Sequence, residues 1–454
     1  MSPFDAVFKA YDIRGTVPEQ LDEAMCRAIG VAFARFAAAP RILIGHDMRP
    51  SGDELVAAFS DGARRHGVNV THLGLVSTDL VYYAAGKLDA PGVMFTASHN
   101  PAQYNGIKLC LAGARPVGED TGLGDIKAMA EAILDGRDEP AGGATGTEES
   151  LDLLDAFADH VVSFADRSLL KPLKVVADTA NGMGGLVVPT VFERLPFDLE
   201  LMYGELDGTF PNHPADPIQP ANQRDLQARV SASGADVGLA FDGDADRVFF
   251  VDEKGRGLSG STTTAILAAG ILAREPGATI LHNLICSRAV PEVIRERGGI
   301  PIRTKVGHSF IKQLMVETGA AFGGEHSAHY YFRDNYRADS GIIATMVVLE
   351  QLSQAGVPLS ELRQPFERYA ASGEINTEVA DPPAVIERVA AAYPDRPQDR
   401  LDGLTVDSGP WWFNVRPSNT EPLLRLNLEA PTRDECEAHV AEVLVLIDTL
   451  KSRH

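Results

Sequence analysis

The regular alternation of short apolar runs with helix-period segments is what most constrains this chain. Glu19–Ala38 places Leu21, Met25, Ile29, Phe33 and Phe36 on one helical stripe, and Arg41–Gly45 (RILIG) follows as a buried strand. Ser51 is placed to cap a helix running through Arg65. NVTHLGLVST then resumes as strand, Asp79–Leu88 as helix and GVMFTAS as strand. Such alternation predicts α/β layers, with ligand-binding loops at the carboxyl ends of the strands.

The pattern divides into four. The acidic, Gly-rich tract Asp135–Ser150 reads as a linker closing a first α/β unit over 1–150. A second, over 151–252, runs from helix Leu153–Asp166 through LKVVADTA, a helix opening at NGMGG, and LELMYG. A Pro- and Asn-rich loop (Asp207–Asn222) then leads to DVGLAF, and FFVDEKGRG reads as a hairpin leading out of the unit. A third, over 253–368, holds helix Thr262–Ala273, strand TILHNLI and helices Ala289–Arg297 and Ser309–Thr318. After Tyr369 the pattern changes to a smaller α+β unit, 369–454, with strands around WWFNVRP and LLRLNLEA and a last helix from Asp434. At about 150 residues per domain the length alone suggests three units; the pattern gives three α/β units and a cap.

With 41 Lys plus Arg against 63 Asp plus Glu, the formal charge is −22. A surface so acidic excludes coating by nucleic acid, which rewards clustered cations. The excess is uneven: Glu119–His160 carries 12 acids and 2 bases, whereas Ser287–Gln313 carries 6 bases and 2 acids. A local anion pocket is therefore compatible with it. The cysteines (Cys26, Cys110, Cys286, Cys436) are widely spaced with no C-x-x-C pair, which argues against a disulfide framework or zinc knuckle. The start, MSPFDAVFKAYDIRG, lacks a basic segment followed by an apolar core, and no apolar run approaches the roughly 18 residues that span a bilayer. The expected setting is a reducing cytoplasm, with no membrane and no nucleic-acid partner.

Three segments follow strands and carry chemistry. TASHNP (Thr96–Pro101) exposes Ser98 at a loop or helix start, where backbone N–H groups favour an anion; read bare, Ser98 is an N-cap and His99 a loop histidine. Lys108, in NGIKLCL, reads as a solvated side chain. FDGDADR (Phe241–Arg247) spaces Asp242, Asp244 and Asp246 so that their carboxylates converge, which suits Mg²⁺ or Ca²⁺ better than a solvated turn. A calcium hand fails, because Arg247 stands where glycine is needed. An aspartyl-phosphate enzyme with Asp242 as nucleophile remains open. GEHSAHYYF (Gly324–Phe332) groups a carboxylate, a hydroxyl and imidazoles suited to a polyol. RPSNTEP (Arg416–Pro422) groups a guanidinium with small polar side chains suited to phosphate.

In this order, with AYDIRG (Ala10–Gly15) and GHDMRPSG, these segments resemble the α-D-phosphohexomutase family, in its bacterial phosphomannomutase/phosphoglucomutase branch. The resemblance covers nearly the whole chain. It implies three similar mixed-sheet α/β domains plus a smaller C-terminal α+β domain around a central cleft, and reversible phosphate transfer between the 6- and 1-positions of a hexose. Ser98 is implied as phosphoserine, with Mg²⁺ between it and Asp242, Asp244 and Asp246, and a hexose 1,6-bisphosphate as intermediate and activator. Arg247 and Lys108 would support the phosphate, with His99 or Lys108 as proton carrier. Glu325 and Ser327 would hold sugar hydroxyls, near His308 and His329. Arg416, Ser418, Asn419 and Thr420 would grip the non-reacting phosphate, and Tyr11 and Arg14 would line the cleft mouth. The implied substrates are mannose or glucose 1- and 6-phosphates, and the protein a monomer or homodimer. Asn419 and RDNYRADSG (Arg333–Gly341) look like the mannose branch, with phosphoglucomutase or dual specificity as alternatives. A non-catalytic sugar-phosphate sensor would require loss of Ser98 or the Asp triad, and both are present. One departure stands out: HNLICSR offers Ile285 where many relatives carry Lys, so that contact is lost or supplied by Arg288, Arg303 or Lys305.

Overall fold

A computed structural model describes residues 2–138, 144–418 and 423–451, with His308 and Lys451 described by backbone alone. Four sheets follow one another along the chain. The first is mixed, with Arg41–His46 flanked by the parallel strands Asn69–Leu75 and Gly92–Phe95. Tyr104–Leu111 pairs antiparallel to Gly92–Phe95 and, on its other edge, to Ile13–Thr16. The second orders Asp198–Met202, Lys174–Asp178, Val237–Phe241 and antiparallel Val248–Asp252. The third orders Ile300–Thr304, Thr279–Asn283, Phe322–Gly324 and antiparallel Tyr330–Phe332.

With Ile13–Thr16 and the short strands Arg115–Pro116 and Glu148–Ser150 of the first sheet set aside, and the remaining strands numbered in chain order, all three sheets share the order 2-1-3-4 with only strand 4 antiparallel. The resemblance between the units is thus topological as well as one of pattern. Strands 1 and 3 flank the point where the connections switch direction, and their carboxyl ends open a crevice there. The fourth sheet is wholly antiparallel, ordered Ala370–Glu378, Leu423–Ala430, Trp412–Pro417, Leu404–Asp407, Gln398–Asp399. Its helices are Pro382–Ala392 and Arg433–Lys451.

One cluster of buried apolar residues runs through the first three units, from Leu43 and Met94 through Val176 and Phe250 to Phe322 and Val348, while the first unit keeps a second core around Phe33, Phe59 and Phe95. The cap keeps its own core around Val389, Phe413 and Leu426. Charged pairs tie it to the third unit: Arg288 to Asp407, 2.6 Å apart, and Arg303 to Asp399.

Several local expectations change. The helix expected over Glu19–Ala38 spans Glu23–Ala37, capped by Asp22, whose carboxylate accepts the Met25 N–H. Ser51 precedes the helix Gly52–Arg65 but makes no cap; its hydroxyl accepts from Asn105 instead. The tract read as a linker is partly structural, since Glu148–Ser150 adds a parallel strand beside Asn69–Leu75. The helix expected over Leu153–Asp166 ends at Val162. Among the described residues no single helix is long and apolar enough to cross a membrane.

Candidate active site

The shared topology puts TASHNP, DGDADR and EHSAH in one structural position, the turn between strand 3 and antiparallel strand 4 of successive units. Each turn bends through a left-handed residue that is not glycine: Ser98 (φ 50°), Ala245 (φ 62°) and Ala328 (φ 66°). No helix begins at Ser98, so neither an N-cap role nor a helix-end anion site applies to it. Its amide instead donates to Thr96 Oγ1 at 2.9 Å.

The first two turns interlock. A Cβ on Gly243 would lie 2.4 Å from the Ser98 carbonyl oxygen, so only glycine permits this approach. Ser98 Oγ donates to Asp242 Oδ2 at 2.8 Å. Arg247 donates from Nε to the same oxygen at 2.9 Å, and a terminal nitrogen of its guanidinium reaches Ser98 Oγ at 3.3 Å. Lys108 is not solvated: its ammonium bridges Asp244 Oδ2 and Asp246 Oδ2, both at 2.7 Å. Thr78 Oγ1 also donates to Asp244 Oδ2, at 2.5 Å. Ser98 and the three aspartates are all buried.

Burial pushes Asp242 up to about 7, with Arg247 opposing and the charges of Asp244 and Asp246 adding. Burial also works against the charge on Asp244, yet Lys108 and the hydrogen bond from Thr78 hold it well below the usual carboxylate range. Lys108 is itself raised well above its ordinary value: the paired carboxylates outweigh its burial and lock it as a cation. The ligand oxygens of the three aspartates lie within 4.8 Å of one another, an arrangement that could hold a metal ion. Asp244 Oδ1 and Asp246 Oδ1 are buried without a hydrogen-bond donor among the described residues, as oxygens awaiting a cation would be.

The remaining predicted residues fall in two groups nearby. Glu325 is buried and accepts from Tyr331 Oη (2.8 Å), Asn283 Nδ2 (3.3 Å) and the Gly307 amide (3.2 Å). Ser327 is partly exposed, with no side-chain partner among the described residues. His329 Nδ1 sits 2.8 Å from Asp339 Oδ2, and the other oxygen of Asp339 faces the buried Lys312 ammonium at 3.0 Å. Burial disfavours the charged imidazole, but Asp339 and Asp246 outweigh it and raise the His329 pKa. His99 is shifted the other way, first by burial and then by Arg247, whose N–H points at its Nδ1 from 2.5 Å.

In the cap, Arg416 donates to Glu374 at 2.8 Å, and Arg425 reaches the same carboxylate at 3.3 Å and Ser418 Oγ at 3.3 Å. Arg14 donates to Asn100 Oδ1 at 2.7 Å and pairs with Asp12. Tyr11 Oη donates to the Val306 carbonyl at 3.4 Å, at one wall of a cavity of about 1310 Å³ between the first and third units. That cavity is not lined by Ser98 or the aspartate turn. Asn419, Thr420 and the His308 side chain lie outside the described residues.

Comparison with known proteins gives the family. Profiles of phosphoglucomutase/phosphomannomutase α/β/α domains I, II and III match residues 5–135, 155–256 and 259–369, and that of the C-terminal domain matches 374–445. The chain belongs to the phosphoglucomutase/phosphomannomutase family. It is 43% identical over 426 residues to a protein of Xanthomonas campestris pv. campestris described as phosphohexose mutases, covering 93% of this chain and 94% of that one. It is 40% identical over 455 residues to a phosphomannomutase of Salmonella montevideo, covering 97% and 99%. A solved phosphoglucomutase/phosphomannomutase family protein of Burkholderia thailandensis superposes with a TM-score of 0.90 at 32% identity, over 100% of this chain and 98% of that one.

Some members of the site of this mutase-family chain escaped sequence reading. Arg49 is buried, and donates to the carbonyls of Ser98 (2.9 Å), Asn100 (2.7 Å), Pro101 (2.8 Å) and Tyr104 (2.8 Å). Its position just past the strand in GHDMRPSG was the available signal. Thr78 and Lys312 had none, because Asp244 and Asp339 are far away in sequence; Asp339 lies in RDNYRADSG, ten residues from His329, and Arg425 lies seven from Ser418, so proximity was their signal. Charge at the site is also balanced, where the sequence allowed a local anion pocket. Arg14, Lys108, Arg247 and Arg416 are each paired with a carboxylate, so an added divalent cation would tip the serine region positive.

Proposed function

We propose that this chain is a phosphomannomutase, interconverting mannose 6-phosphate and mannose 1-phosphate through phosphoserine 98 and a hexose 1,6-bisphosphate. The observation that carries the reading is the meeting of Ser98 Oγ with Asp242 and Arg247 beside two carboxylate oxygens that have no hydrogen-bond donor among the described residues. Names of relatives at about 40% identity support the mannose branch. Glucose 1-phosphate, as sole or second substrate, is the alternative.

Asp242, Asp244 and Asp246, with the Ser98 phosphate, would hold Mg²⁺. When bound, it supplies charge neutralisation to a phosphoryl group in a loose transition state. The rest falls to side chains. In the first half-reaction the phosphorus–Oγ bond of Ser98 breaks and a bond forms to the free sugar hydroxyl, whose proton leaves to a base. The bisphosphate then turns over: the other phosphorus–oxygen bond to the sugar breaks as that phosphoryl group returns to Ser98 Oγ, and the base gives its proton back to the departing sugar oxygen. Arg247 supports the serine oxygen, and Lys108, locked as a cation, orders the aspartates and is poorly suited to take a proton. His99 Nδ1 is occupied by Arg247. His329, held through Nδ1 by Asp339 and raised in pKa, is the better-placed proton carrier.

An aspartyl-phosphate mechanism at Asp242 is disfavoured. Oδ2 accepts from Ser98 and Arg247, Oδ1 accepts from the Arg247 amide at 3.2 Å, and the residue is fully enclosed. A coupled assay with mannose 1-phosphate and glucose 1-phosphate, primed with a trace of hexose 1,6-bisphosphate, tests the substrate. Isomerisation of neither would overturn the proposal, and hydroxylamine-labile phosphate on Asp242 would overturn the mechanism.

A further inference from the structure

We infer that Lys305 is the third unit's contact to the phosphate that is not being transferred, a role that rests on the mutase reading above. Strands Thr279–Asn283 and Ile300–Thr304 are parallel neighbours with Asn283 opposite Thr304. Residues just past their carboxyl ends therefore emerge side by side, at the same end as the EHSAH turn. One of these, Ile285, is apolar and only 9% exposed, and offers nothing to an anion. The other is Lys305.

Elimination points the same way. The stretch Ser287–Gln313 holds six bases. Arg295 and Arg297 precede the strand Ile300–Thr304, at its far end. Arg288 is bound to Asp407 and to the Gly409 carbonyl, Arg303 to Asp399, and Lys312 is buried against Asp339. Lys305 alone lies past the strand's carboxyl end without a carboxylate partner among the described residues.

Its surroundings fit the role. The ammonium sits 5.3 Å from the centre of the Phe310 ring, which in turn packs edge-on against Tyr11 at 6.2 Å. Lys305, Tyr11 and Asp402 line the same large cavity. The two residues after Lys305 tie this corner to both neighbouring groups: the Val306 amide donates to Asp402 of the cap at 3.2 Å, and the Gly307 amide to the polyol-suited Glu325 at 3.2 Å. A bisphosphate that reacts in two orientations needs a contact that tolerates both. A compact ammonium on a flexible stem meets that need better than a planar guanidinium fork.

Steady-state kinetics on Lys305→Met, which keeps the aliphatic stem over Phe310, and on Lys305→Ala provide the test. The expected result is a KM for hexose 1-phosphate raised about tenfold or more with kcat changed less than about threefold, and recovery of only part of the loss in Lys305→Arg. Asp402→Asn removes a charge from the same wall while keeping an acceptor for the Val306 amide, 3.2 Å away, and is expected to lower KM. An unchanged KM in both Lys305→Met and Lys305→Ala would overturn the inference. Failure of the unmodified enzyme to isomerise any hexose phosphate would instead overturn the mutase reading.

Discussion

Arg49→Met tests whether the serine turn is held in place through its carbonyl oxygens. In the folded protein Arg49 donates to four of them and to Asp47 Oδ2 at 3.2 Å, and both members of that ion pair have no exposed side-chain surface. Burial raises the pKa of Asp47 and lowers that of Arg49, with their mutual attraction working against it. Removing Arg49 strands a buried carboxylate and leaves four carbonyls without this donor. Breaking a buried pair from one side costs about 3–5 kcal/mol. The lost carbonyl bonds fall within that range rather than adding to it, because they belong to one network. At about 2–4 °C per kcal/mol, the first thermal transition should drop by roughly 10 °C. If the turn relaxes by about 1 Å, kcat should fall about 10²-fold. The assay pairs a thermal scan with coupled turnover and the fraction of Ser98 carrying phosphate. In the double variant Asp47→Asn/Arg49→Met the stranded charge is gone, so part of the stability should return while turnover stays low. Wild-type turnover in Arg49→Met would refute the reasoning, and restored turnover in the double variant would show that only the stranded charge mattered.

Three further outcomes are expected. Ser98→Ala should lose nearly all turnover while still binding hexose 1,6-bisphosphate by calorimetry; an unaffected turnover number would reject Ser98 as the phosphate carrier. Asp244→Asn should raise the Mg²⁺ concentration required for half-maximal activity by about tenfold or more, and an unshifted titration counts against the aspartate turn as the metal site. Burial pushes Asp79 up to about 7, although Ser77 and Ser340 donate to it. The folded state therefore binds this proton more tightly than the unfolded chain. The resulting stability is complete below the ordinary aspartate range near pH 4 and is lost as pH rises to about 7. Asp79→Asn should flatten that part of the stability–pH curve, and an unchanged slope would contradict it.

Much of this protein was legible from local pattern. Strand and helix periods depend on near neighbours, so the α/β units, the smaller cap and the turns after buried strands could all be read from sequence. The spacing of Asp242, Asp244 and Asp246 pointed to converging carboxylates, and their oxygens do lie within 4.8 Å of one another. Ends of elements were less legible: Ser51 looked like a cap, but its hydroxyl found Asn105 instead. Partnership across units lay beyond local pattern altogether. Lys108 and Asp244 are 136 residues apart, and Ser98 and Asp242 are 144 apart, yet each pair is hydrogen-bonded. Folding alone decided that a lysine expected in solvent is locked between two aspartates, that Arg49 donates to the carbonyls of the serine turn, and that among the described residues Lys305 has no carboxylate partner while Arg288 and Arg303 are taken by the cap. A sequence specifies which groups are present and how its near neighbours fold. Which charges neutralise one another is set by the packing of separate units, where burial removes the water that would otherwise screen them.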